Sequence, residues 1–305
     1  MRKHGITSSI LSLANPWLDF LPANEAGTWA GRVNDELEEM CRLHDQKAKG
    51  GYPPFYAFGA LPLSAPEPDV IVQEISRLKS LTYVKGVIMG TSGLGKGLDG
   101  PALDPVWAAL AETETILFLH PHYGLPSDAF GGADVVERSG HVLPLALGFP
   151  LETTIAVARM YLARVFDRFP GLKLLLAHSG GSIPFLAGRI ESCVAHERRF
   201  VTNGGDIPGP ERSIWDVLRQ NIYLDAVVYG EPGLTAAAQA GSVERVMFGT
   251  DHPFFPPLDN LDEKWLSVEM NRNAISTAFR TNTEAANAVL GGNAVDIFGL
   301  KKRDT

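Results

Sequence analysis

Seven short β-prone runs recur along the chain, and amphipathic stretches separate most of them. The runs lie at 8–14 (SSILSLA), 55–61 (FYAFGAL), 84–90 (VKGVIMG), 115–120 (TILFLH), 172–178 (LKLLLAH), 221–225 (NIYLD) and 245–250 (RVMFGT). Helical spacing appears between them, for example at 25–44, 66–81, 105–112, 151–169 and 214–219. Strands that read as nearly continuous apolar runs are buried on both faces, and intervening helices supply the cover. This pattern predicts a parallel α/β sheet.

Seven strands are one short of a closed (β/α)8 barrel. The opening residues "MRKHG" read as the last turn of a helix: basic side chains, then a glycine just past the end. The expectation is therefore a TIM-type (β/α)8 barrel that lacks its first strand and much of its first helix. An open doubly wound sheet, which needs no missing strand, is the alternative. No repeat, low-complexity tract or linker interrupts the series, so residues 1–305 read as one domain, with "TNGGDIPGPERS" (202–213) as an internal loop.

The 305 residues, 45% of them apolar, suffice for a large core. A net charge of −8 without a basic block argues against a nucleic-acid surface. Apolar runs of about seven to ten residues are too short to span a bilayer, and the N-terminus lacks a signal-peptide cleavage site. Cys41 and Cys193 each stand alone, outside any motif, as expected of reduced thiols in a cytoplasmic protein.

Three strands end in polar residues that a buried sheet does not tolerate without a partner. "TILFLH" ends at His120, followed by Pro121 and His122; "LKLLLAH" ends at His178; "VMFGTDHPFF" (246–255) presents Asp251 just past Gly249. In a parallel barrel all three ends open onto one face, where active sites sit. Imidazole and carboxylate suit zinc, with manganese as competitor, and a catalytic ion needs about three protein ligands. His120 and Asp251 supply two; His122 or His178 is a candidate third, and His178 also suits acid–base work. "GTSGLGKG" (90–97) follows a strand and mimics a phosphate loop, but Gly97 stands where a Ser or Thr would hold magnesium. It reads instead as a glycine-rich loop over the barrel mouth, with Lys96 able to touch substrate. Asn15, beside Pro16 and Trp17, reads as a turn or a substrate contact, Arg189 as a surface ion pair, and Phe254 with Phe255 as a pocket wall or core.

"FLHPH", "LLLAHSGGSIPFLAGRI" and "VMFGTDHPFF", in this order, resemble the amidohydrolase-related decarboxylases typified by aminocarboxymuconate semialdehyde decarboxylase, and "LGGNAVDIFGL" resembles that family's C-terminal helix. "SLANPWLDFL" with "TDHPFF" is most similar to the iso-orotate (uracil-5-carboxylate) decarboxylase branch. The resemblance implies a (β/α)8 barrel, one zinc or manganese, and non-oxidative loss of carbon dioxide. It implies metal ligation by His120 and Asp251, catalysis by His178, and a homodimer in which Arg189 reaches the partner's substrate carboxylate. Phe254 and Asn15 become candidate substrate contacts. The family's first strand, which bears His-X-His, has no counterpart in the sequence.

The expected chemistry is protonation by Asp251, with His178 nearby, of the ring carbon that bears the carboxylate of a small planar acid. Carboxyuracil, a hydroxybenzoate and a carboxymuconate semialdehyde all suit such a pocket. The same residues suit metal-dependent hydrolysis of an amide or lactone. A chain without the first strand also suits an inactive subunit that lends Arg189 to a complete partner.

Overall fold

The structure, a computed structural model, describes residues 1–65, 67–200, 209–257 and 264–303. The loop expected at 202–213 lies outside the described residues as far as 208. Seven parallel strands form one sheet in sequential order: β1 (Ser9–Ser12), β2 (Phe55–Ala60), β3 (Val84–Gly90), β4 (Leu117–His120), β5 (Leu174–Leu176), β6 (Ile222–Asp225) and β7 (Val246–Met247). Each lies within one expected run. A doubly wound sheet reverses direction in its strand order; this one does not, so the alternative is excluded.

β3 fills its expected run, and the other strands are shorter than theirs because pairing stops before the run does. In β7 the backbone turns away after Met247, and the Phe248 N–H bonds the Val289 carbonyl at 2.8 Å. The basic opening behaves as expected. Arg2–His4 is a single 3-10 turn, closed by Gly5 at φ 67° with its N–H on the Arg2 carbonyl.

The covering helices include α1 (Ala26–Lys47), α2 (Pro68–Leu78), α3 (Asp104–Glu112), α4 (Ala133–Ser139), α5 (Phe149–Leu162) and α6 (Val165–Arg168). They continue with α7 (Ile183–Phe200), α8 (Ile214–Gln220), α9 (Glu231–Ala240), α10 (Leu266–Ala278), α11 (Thr283–Asn287) and α12 (Asn293–Ile297). The single helix expected at 151–169 is broken between α5 and α6, where Arg164 takes φ 61°.

Alternate side chains feed two cores. Ala57, Val87, Leu117, Leu119, Leu174, Leu176, Leu224 and Val246 pack outward with Ile71, Ile75, Trp107 and Leu234 of the helices. Ile10, Phe58, Ile88, Phe118, Leu175, Tyr223 and Met247, one from every strand, turn the other way into a second cluster with Trp17 and Phe298. The sheet curls around this second cluster: Trp17, just past β1, meets the His120 ring at the end of β4 with centroids 6.3 Å apart. Phe298 lies against Phe58 at the opposite end. There the Arg303 guanidinium bonds the carbonyls of Asp45, Ala48 and Tyr52 at 2.8 to 3.0 Å. The lower mouth is thus plugged and the upper one carries the polar strand ends.

One finding departs from the sequence reading. By length and composition the helical stretch Val142–Leu162, 21 residues with mean hydropathy 1.3, suffices to cross a membrane. It joins α5 to the π-helical turn that precedes it, and Glu152 and Arg159 within it are both engaged with barrel loops. Those anchors place it in the helix ring.

Candidate active site

His120 is the last residue of β4 and points to the inner face, as Phe118 does two positions earlier. Its Nδ1 lies 2.6 Å from the Pro121 carbonyl, which leaves Nε2 facing the mouth for a ligand. The His178 ring sits 5.2 Å from that of His120, centroid to centroid. Desolvation pushes both imidazoles down to about 4, helped at His120 by the proximity of His178, so both are neutral near pH 7. Neutral imidazole is the form that binds a metal or accepts a proton.

His178 and Ser179 lie in the left-handed region, at φ 54° and 51°. An oxygen of Asp225, the last residue of β6, holds this turn in place. Its Oδ1 accepts the Ser179 N–H at 2.8 Å and the Val227 N–H at 3.1 Å, while the Ser179 hydroxyl bonds the Asp225 carbonyl. Burial pushes the Asp225 carboxyl up to about 7 against those N–H bonds.

Asp251, also left-handed at φ 54°, accepts a hydrogen bond from the Tyr229 hydroxyl. Burial raises its carboxyl above the usual range, while the Tyr229 bond and the charge of a protonated His120 oppose that rise. Phe255 stacks edge-on to Tyr229 at 5.9 Å. Phe254 and Phe255 are 39% and 44% exposed, so the core reading of this pair fails and they form a rim. His122 lies against Tyr123, its ring 4.2 Å away, and Glu152 of α5 accepts its backbone N–H at 3.2 Å. The same carboxylate bonds Thr91 and the Gly124 N–H, tying the ends of β3 and β4 to α5.

The structure therefore brings His120, His178 and Asp251 to one mouth. Asn15 lies in the loop after β1, two residues before Trp17, half-buried. Arg189 is exposed on α7 and, among the described residues, has no ion pair or hydrogen bond; the surface ion pair considered for it is absent. The loop at 90–97 is clasped from α5. Arg159 bonds the Lys96 carbonyl at 3.1 Å and Asp99 at 2.6 Å, leaving Lys96 exposed and no helix start facing the glycines.

Asp225, Tyr229 and Glu152 were not among the expected site residues. The rule that selected His120, a polar residue closing an apolar strand, also selects Asp225 in "NIYLD". Tyr229 and Glu152 carry no such signal, since both reach the site from other segments.

The donor chemistry suits a borderline divalent ion: two neutral imidazoles, one with Nδ1 already engaged, and a carboxylate. The His178 Nδ1 is buried with no partner, as a group awaiting a ligand would be. The number falls short, because the described residues hold no group of three His, Cys, Asp or Glu side chains arranged around one ion. His120 and Asp251 are the residues that would hold it, with other donors completing the shell.

Known proteins resemble this chain along most of its length. The amidohydrolase family profile matches residues 15–300. Gamma-resorcylate decarboxylase of Rhizobium radiobacter is 28% identical over 296 residues, covering 94% of this chain and 83% of its own. 2-Amino-3-carboxymuconate-6-semialdehyde decarboxylase of Dictyostelium discoideum is 29% identical, covering 90% of this chain and 70% of its own. The apo crystal structure of Metarhizium anisopliae IDCase superposes with a TM-score of 0.88 at 50% identity, covering 98% of this chain and 76% of that one. A likeness of fold alone, at 24% identity and a TM-score of 0.76, links the chain to the manganese-bound dihydroxybenzoic acid decarboxylase of Polaromonas, over 98% of this chain and 83% of that one. The chain belongs to the amidohydrolase family, among the amidohydrolase-related decarboxylases.

Proposed function

We propose that this protein is a non-oxidative decarboxylase of a planar carboxylic acid of the uracil-5-carboxylate kind, working with a divalent ion, zinc or manganese. The observation that carries the reading is the Asp251 carboxyl, pushed above its usual range by burial and bonded by the Tyr229 hydroxyl, at one mouth with two neutral imidazoles. The half-identical IDCase favours the carboxyuracil branch over the hydroxybenzoate one.

A divalent ion held at His120 and Asp251 would supply Lewis-acid chemistry, neutralising negative charge on the bound acid. His120 contributes Nε2 to it. Asp251 delivers its proton to the ring carbon that bears the carboxylate. That carbon becomes tetrahedral, the bond to the carboxylate breaks, its electron pair returns to the ring, and carbon dioxide leaves. Tyr229 donates to the carboxylate left on Asp251 and so stabilises the charge. His178, through its free Nδ1, hydrogen bonds an oxygen of the acid and fixes its orientation.

The reading includes a homodimer. Arg189 is exposed on α7, and Phe185 on the same helix is 83% exposed, while Ile155 and Leu162 of neighbouring α5 are 47% and 49% exposed. Burying these side chains against a second copy gives Arg189 a partner's site to enter.

The test is the metal-supplemented protein incubated with uracil-5-carboxylate and, separately, 2,6-dihydroxybenzoate, with carbon dioxide and the decarboxylated ring measured. Equimolar uracil and carbon dioxide, both lost in Asp251→Asn, are expected. No turnover of either acid, or full activity in Asp251→Asn, overturns the proposal.

A further inference from the structure

The Trp17 side chain is 4% exposed, yet its indole N–H is buried with no hydrogen-bond partner. Indole N–H is a donor only, and an unpaired buried donor is costly enough that its presence needs a reason. The neighbourhood supplies one. The ring lies 6.3 Å from that of His120 and 5.6 Å from that of His122, edge-on to both.

Its seat is made by a glycine. Gly90 pairs in register with His120 across β3 and β4, and a Cβ placed on Gly90 would come within 2.7 Å of the benzo edge of Trp17. The indole thus fills the space that any side chain at 90 would take. With its benzo edge against β3, the pyrrole edge and its N–H turn away from the strand. The backbone of Trp17 is left-handed at φ 51°, a conformation that a bulky residue adopts only when its surroundings require it.

We infer that Trp17 is a specificity-determining substrate contact: its indole N–H donates a hydrogen bond to an oxygen of the planar acid held beside His120, and its ring walls the pocket on the β1 side. The inference rests on the decarboxylase reading and deepens it. A planar acid rich in carbonyl or hydroxyl oxygens offers the acceptor that the folded chain withholds. One unpaired donor then becomes a selection for oxygen at that edge of the ring.

The test uses nitro analogues, which keep two oxygens in place of the carboxylate and cannot lose carbon dioxide: 5-nitrouracil and 2-nitroresorcinol. Their binding to the full chain is measured by calorimetry, beside Trp17→Phe and Trp17→Tyr, each verified as folded by its thermal melt. Loss of one neutral hydrogen bond predicts about three- to tenfold weaker binding by either variant. In parallel, the indole N–H signals of the five tryptophans are followed by ¹⁵N NMR. The signal absent from the variants is expected to move downfield when 5-nitrouracil is added to the wild type, a change that a purely structural tryptophan does not make.

Binding by the wild type with unchanged affinity in a folded variant, or an unmoved Trp17 signal at saturation, overturns the Trp17 inference and leaves the decarboxylase reading intact. Failure of the wild type to bind either analogue overturns both.

Discussion

Replacing Asp225 by Asn separates two effects that the folded structure superimposes. Both strong hydrogen bonds to this side chain, from Ser179 and Val227, end on Oδ1, so an asparagine in the same rotamer keeps them. What changes is the charge. Burial moves the carboxyl from 3.8 to about 7, equivalent to ~4 kcal/mol of penalty on the ionised form. The folded state holds a proton that the unfolded chain has released, so stability falls as pH rises from about 4 to about 7, and the full loss is present above that. Asparagine escapes this loss. It gives up the weaker attraction of the His178 N–H, which also favours the charged form, at about 1 kcal/mol. The two curves should therefore cross at about pH 4.5: the variant is less stable by about 1 kcal/mol near pH 3 and more stable by about 3 kcal/mol at pH 8. Urea unfolding at half-unit pH intervals measures the difference, and subtracting the curves removes every other titrating group. Asp225→Ala strands two buried N–H groups and should cost about 2 to 6 kcal/mol at every pH. A difference curve that is flat between pH 4.5 and 8 would refute the argument, since the carboxyl would then be titrating as it does in water.

Three further outcomes follow from single contacts. Tyr229→Phe removes the donor to Asp251 but keeps the ring against Phe255, so kcat should fall about tenfold with an unchanged melting temperature; an unchanged kcat would show that the hydroxyl does not serve Asp251. Gly181→Ala places a Cβ on the Pro150 carbonyl at a backbone φ of 63°, and chemical denaturation should show at least about 2 kcal/mol of lost stability. Arg303→Ala frees the chain end that holds Phe298 beneath the barrel, so stability measured the same way should drop by about 1 to 3 kcal/mol while KM is unaltered.

The strands were legible because a doubly covered strand must be apolar on both faces, and each expected run does contain one strand. Their ends were less so. The run at 245–250 holds only Val246–Met247, because the bond from Phe248 to Val289, a partner 41 residues on, decides where pairing stops. The helical stretch at 142–162 was read only from residue 151 on. Glu152 and Arg159 divide it into apolar runs too short to cross a membrane, but both are good helix formers, so the helix continues through them while their side chains reach the barrel loops.

Within the site, legibility depends on whether a residue's role follows from topology or from contact. A parallel barrel sends every strand's C-terminal end to one face, so His120, His178 and Asp251 could be gathered from three motifs distant in sequence without any knowledge of packing. Asp225 obeys the same rule and was open to the same inference; one acidic residue at the end of "NIYLD" resembles an ordinary strand terminus until the turn it holds is seen. Tyr229 and Trp17 belong to another class. The Tyr229 hydroxyl matters because the loops after β6 and β7 meet, and Trp17 because Gly90, more than 70 residues away, leaves room beside His120. Topology can announce where chemistry takes place. The groups that tune it are fixed by contacts between distant segments, and an unpaired donor such as the Trp17 N–H becomes visible only when every partner within reach has been accounted for.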